Sequence, residues 1–230
     1  MLGKEDTAVR GNFLSALAMF IAVSVTFINV INPILVLVGI GIGAIIGSLI
    51  ALKVKMTSIP EMVALFNGFG GLATFFIAWS EFNSIPSNNF QYLLVMITTY
   101  IGGVTFSGSV IAYGKLSETL KVEKSSIITK LFTTFFYVSI IYLLYSIFIT
   151  KIFSPGFDFF TILLILTLLG GVGFVIPIGG GDMPVVISLL NSFSGIAAAF
   201  AGLLLLNNVL IVAGSLVGAS GLILTIIMAK

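Results

Sequence analysis

Two asparagines carry the first hint of chemistry. Asn67 and Asn191 each follow a proline, Pro60 and Pro184, by seven residues, in stretches that are otherwise almost wholly apolar. Counted from each proline, Leu recurs at +5, Asn at +7, Phe at +9, Gly at +11 and Ala at +13. A carboxamide both donates and accepts hydrogen bonds, so such a pair can relay a proton but cannot store one. Carboxylates stand at the start of each stretch, Glu61 and Asp182. Ser58 and Asp182 read as helix N-caps, and Ser58 with Glu61 has the spacing of a capping box. Histidine and cysteine are both absent, so the usual switchable proton carrier and all thiol chemistry are missing.

The elements that hold these residues must lie in lipid. Of the 230 residues 59% are hydrophobic and 8% charged, and the mean hydropathy is +1.25; a soluble domain of this size needs roughly 25% charged residues to clothe its surface. The net charge of +2 is too small to suggest nucleic acid, and no nucleic-acid partner is expected. A span needs about 20 apolar residues, and eight such stretches are predicted, at about 13–31, 33–53, 59–80, 90–114, 127–150, 158–178, 183–204 and 208–229. The domain expectation is a polar segment over 1–12 followed by a helical membrane domain over 13–230. Basic residues set the orientation. Nine of the ten, including Lys4, Arg10, Lys53, Lys55, Lys115, Lys130 and Lys230, fall on the side of the termini, and Lys151 alone on the other. Both termini are therefore expected in the cytoplasm. The third and seventh spans then run the same way, which makes the repeat two parallel four-helix units.

Depth follows from the rise of a helix. At ~1.5 Å per residue both asparagines lie roughly 12 Å into the membrane. Ser107, Ser109 and Ser220 reach a similar depth from the same side, and Thr105 belongs to the same stretch. A hydrated path through amide and hydroxyl groups is the expectation, with Glu61 and Asp182 at its cytoplasmic mouth. The competing role, polar glue between helices, is worth about 0.6 kcal/mol per contact and suits a lone Ser better than a repeated Asn. Gly39, Gly43 and Gly47 share one face of the second span and predict close packing. Gly68 to Ala73 spells G-x-G-x-x-A, but inside a span it cannot form a dinucleotide turn.

Three stretches resemble a known family: Pro60 to Asn67, Thr105 to Leu116, and above all Gly180-Gly181-Asp182-Met183-Pro184-Val185-Val186 with Leu190-Asn191-Ser192. They are similar to the membrane domain of the beta subunit of proton-translocating NAD(P) transhydrogenase, and so is Val209 to Gly221. The resemblance implies an enzyme complex that couples proton passage to hydride transfer between NAD(H) and NADP(H), with neither nucleotide bound by this chain. It implies a proton path through Asn191 and Ser109 with Asp182 at its mouth. It also implies a last helix whose Gly218, Ala219, Ser220 and Gly221 transmit state to an NADP(H)-binding domain. Asn67 stands where some members carry a proton-handling His. The missing His fits branches in which an alpha-type subunit supplies it. The implied setting is the inner membrane, in a dimeric complete complex. Relative to the family pattern the chain is expected to start one helix late, and to stop before the nucleotide domain. Two other functions fit the residues alone: a transporter or channel for a small solute, and a structural membrane subunit.

Overall fold

The computed structural model describes residues 5–28, 33–84, 86, 88–120, 127–150 and 157–230. Eight helices follow in order: α1 (Glu5–Phe27), α2 (Pro33–Lys53), α3 (Ile59–Asn83), α4 (Asn89–Leu116), α5 (Ile127–Thr150), α6 (Phe157–Val175), α7 (Met183–Leu204) and α8 (Asn208–Met228). No strand occurs among the described residues. All eight helices are long and apolar enough to cross a membrane, so the chain is an all-helical, eight-span membrane protein.

The helices depart from the predicted spans where backbone chemistry overrides hydropathy. α1 begins at Glu5, inside the segment expected to be polar and separate, because a helix can continue past the hydrocarbon into water. Its predicted last residues, 29–31, lie outside the described ones. α6 stops at Val175 rather than 178. Pro177 has no N–H and disfavours helical geometry at Ile176, so the ladder ends there. Ser58 and Asp182 hold the cap positions of α3 and α7, but neither side chain makes a cap bond. Each helix is instead entered through a 3-10 turn, Met56–Ser58 and Gly180–Asp182. Those turns occupy the first amides with backbone carbonyls, Ser58 N–H on Lys55 and Asp182 N–H on Gly179. Asn88 and Asn207 are the side-chain caps, accepting from the amides of Gln91 and Leu210.

The chain divides into two units, at 54/55. In the first, α1 and α2 bury almost nothing, and α2 has no buried residue. Apart from the neighbouring backbone of α2 itself, no heavy atom of the described residues approaches within 4 Å of the place where a Cβ would stand at Gly39, Gly43 or Gly47. The close packing predicted there is therefore not made within the unit. Hydroxyls in these helices turn back onto their own backbone, Ser24 to Phe20 and Ser48 to Ala44, as lipid requires.

The second unit is built around α4, which packs against α3, α5, α6 and α7, while α8 packs chiefly on α7. Two hairpins, α3–α4 and α7–α8, close on glycine. A Cβ at Gly71 would stand 2.9 Å from the Gly102 carbonyl oxygen and 2.9 Å from the Phe106 nitrogen. One at Gly195 would meet the Gly214 oxygen at 2.9 Å and the backbone nitrogen of Gly218. Two apolar clusters hold the ends. At one end lie Ala64, Ala112, Val175, Met183 and Leu190; at the other Phe82, Tyr92, Met96, Phe160, Leu163 and Leu204. The rings of Phe82 and Phe160 stack 3.9 Å apart and 8° from parallel.

Phe160→Ala should therefore loosen the second unit. A helix unfolded within the membrane still sits in hydrocarbon, so the transfer gain cancels and only the void counts. At about 24 cal/mol per Å³ over roughly 100 Å³ of lost ring, the cost is about 2.4 kcal/mol. Denaturation in mixed micelles of rising SDS fraction reads this directly, with an unchanged midpoint as the contrary result.

Candidate functional site

Asn67 lies on α3, half-buried, where that helix touches α4 and α7 at once. Its Nδ2 donates to Ser109 Oγ on α4 at 3.0 Å. Its Oδ1 accepts from Ser194 Oγ on α7 at 2.7 Å. One amide thus ties three helices and uses both of its hydrogen-bonding ends. Gly68 makes the room, since a Cβ there would come within 3.1 Å of the Ser109 Cβ. Ser109 is only 1% exposed, so the contact is made away from lipid, where an unpaired hydroxyl is expensive.

Asn191 lies elsewhere. It is exposed on α7, and among the described residues no hydrogen bond reaches it. Its neighbours explain the direction. Leu190 is buried against α4, near Gly108, and Ser192 is buried against α8. The amide projects from the remaining face of α7. Ser194, Gly195 and Ala198 share that face at helical spacing and line a groove of about 280 Å³ together with Gly70, Thr74 and Gly214. Asn191 therefore stands one turn from the groove, and Ser194 joins the groove to the Asn67 contact.

The other expected path residues scatter. Ser107 is buried on the α6 side of α4, donates to its own Gly103 carbonyl at 3.0 Å and packs on Gly171. Ser220 is exposed and donates back to Val217 at 3.1 Å. Thr105 is fully buried beside Gly71, and among the described residues its hydroxyl has no partner, as is also true of Thr98 and Thr99. Glu61 is half-buried and Asp182 exposed. Both stand at one end of the unit, since Ala64 and Met183 share a cluster there.

On α8, Gly218 and Gly221 face α7, while Ala219 and Ser220 face outward. Ser192 donates to the Gly218 carbonyl at 2.5 Å and Ser188 to that of Gly221 at 3.4 Å. Thr225 donates to Ser188 Oγ at 3.1 Å. Ser188, Ser192 and Ser194 were not among the expected residues. Ser194 had a usable signal: it breaks the repeat at the position where the first copy has Gly70.

A model of the NAD(P) transhydrogenase beta subunit family matches residues 1–230. Two curated relatives from Rhodospirillum rubrum, each called NAD(P) transhydrogenase subunit beta, are 36% identical over 240 residues. The alignment covers 100% of this chain and 51% of each relative. The chain therefore spans about half the length of the curated relatives it matches.

Proposed function

Since the chain belongs to the NAD(P) transhydrogenase beta subunit family, we propose that it is the part of that enzyme that carries protons through the membrane. Hydride transfer between NAD(H) and NADP(H) takes place on separate domains. The observation that carries this reading is the Asn67 amide, held between Ser109 and Ser194 where three helices meet. A group that donates on one side and accepts on the other passes a proton without holding one. Asn191 and the adjoining groove give water a way in, with Glu61 and Asp182 at the mouth. Thr105, buried with no hydroxyl partner among the described residues, extends the path along α4, whereas Ser107 and Ser220 serve their own helices.

The titratable group comes from a partner, an alpha-type subunit whose membrane helices bring a His. The Gly218–Gly221 stretch of α8, gripped by Ser188 and Ser192, passes the state of the path to an NADP(H)-binding domain. Coupling of this kind is reciprocal: whatever proton binding does to NADP(H) affinity, NADP(H) does to proton affinity. Both termini lie in the cytoplasm, and the membrane is the inner one. The Pro…Asn stretches mark two parallel four-helix units, and the complete complex is a dimer.

Asn191→Leu tests the reading. No bond within the described residues is lost, so folding should be unaffected. In liposomes holding this chain, the companion subunit and the nucleotide domains, proton-coupled hydride transfer should fall about a hundredfold or more, the range typical of a proton-transfer group. Full activity would remove the amide from the path. A second reading rests on the groove of about 280 Å³: a conduit for a small solute that works alone. Flux through liposomes holding only this chain would favour it.

A further inference from the structure

Lys115, in the last turn of α4, has so far served only as a topological charge. Its side chain is half-buried and runs to the end of α6. Nζ donates to the carbonyls of Val175 at 3.3 Å, Ile176 at 2.5 Å and Ile178 at 2.6 Å. The Val175 carbonyl, the last of α6, also accepts from the Ile178 N–H at 3.1 Å, while those of Ile176 and Ile178 lie just past the helix end, where carbonyls need donors from outside the helix. α4 and α6 finish side by side, so the cation also stands where both macrodipoles are negative. Directly after Ile178 come Gly179, Gly180 and Gly181, which have no side chains to pack and would otherwise range widely. Beyond them Met183 is fully buried and α7 begins.

We propose that Lys115 is a positioning residue of the α6–α7 mouth. Its ammonium gathers three carbonyls onto the end of α4 and so sets where Asp182 and the first turn of α7 stand beside α3. The glycine loop is pinned at both ends, by Lys115 through Ile178 and by Met183, and α7 carries Asn191, Ser192 and Ser194 from that starting point. The functional consequence rests on the proton-path reading; the pinning does not.

Amide hydrogen exchange on the full chain in nanodiscs tests the pinning. Lys115→Met keeps the stem and removes the charge. It should raise exchange over 176–183 about tenfold, the loss expected from charged hydrogen bonds at a local opening, and leave 64–72 as it was. Lys115→Arg should retain most of the protection. Lys115→Ala opens a space that propylammonium can fill, restoring protection, whereas tetramethylammonium, which has no N–H, should not. Unchanged exchange in Lys115→Met, or equal rescue by both cations, overturns the proposal. Should Lys115→Met fail to fold, purification of Lys115→Ala in propylammonium still gives the comparison. In the complete complex Lys115→Ala should lose kcat with nucleotide KM unchanged, and propylammonium should restore it. Lost protection with full kcat would overturn the functional consequence alone.

Discussion

Asn67→Leu should abolish most of the proton-coupled hydride transfer of the assembled enzyme, a fall of about a hundredfold if the amide is a required relay, while barely changing how firmly the chain folds. The disproportion is what makes the experiment decisive. Two interhelical hydrogen bonds are lost, and in a membrane these are worth about 0.6 kcal/mol each. The stranded hydroxyls have an alternative. Ser107 and Ser215 already bond carbonyls of their own helices, and Ser109 and Ser194 can turn to theirs. A stability loss of about 1 kcal/mol with normal turnover would mean that Asn67 is glue. A large loss of turnover at nearly constant stability means that it is part of the path. SDS-titrated unfolding and coupled turnover, measured on one preparation, separate the two.

The second large effect is structural. Gly195→Ala places a methyl group against the backbone of α8, and backbone cannot step aside as a flexible side chain can. The helices must part, which costs about 3 kcal/mol, the upper end of ordinary overpacking. Parting them also breaks the Ser192 bond to Gly218 and weakens that of Ser188 to Gly221. Coupling should therefore fail together with stability. Gly39→Ala is the matched control. Apart from its own helix's neighbouring backbone, nothing among the described residues stands within 4 Å of its new methyl group, and alanine is the better helix former, so its unfolding midpoint should hold or rise. Equal effects at Gly195 and Gly39 would refute the distinction.

Those two glycines also mark where sequence stops being informative. Small residues at four-residue spacing predict that a helix can be approached closely; they do not say by what. Gly39, Gly43 and Gly47 made the clearer pattern, yet the hairpins close on Gly71, Gly102, Gly195 and Gly218. The spans were legible because lipid imposes a length and a composition on every one of them. α6 ended early for a reason also written in the chain, Pro177. Ser58 and Asp182 were legible as cap positions, but not the absence of their side-chain cap bonds, because sequence does not show the 3-10 turn through which each helix is entered. The repeat did not say that Asn67 and Asn191 would face different surroundings. They part because each asparagine's direction depends on its helix's neighbours: α3 presents Asn67 to two helices, whereas α7 spends the faces on either side of Asn191 on α4 and α8. Ser194 was marked by its break in the repeat, but its partner, 127 residues away, was not.

The chain of contacts through Asn67 has a sense of direction, like an arrow laid across three helices. Ser194 gives to the amide oxygen, and the amide nitrogen gives to Ser109; neither link can be read backwards while the amide keeps its orientation. On the proton-path reading, a proton taken on Oδ1 from Ser194 and one given from Nδ2 to Ser109 would leave the side chain as its imidic acid with the hydrogen bonds of the line reversed, and a hydroxyl would recover by a small swivel. An amide has to turn end over end, against bonds to two different helices. On the proton-path reading proposed above, the step that resets the line is the turning of Asn67, and such a wire would conduct once per turn of that amide.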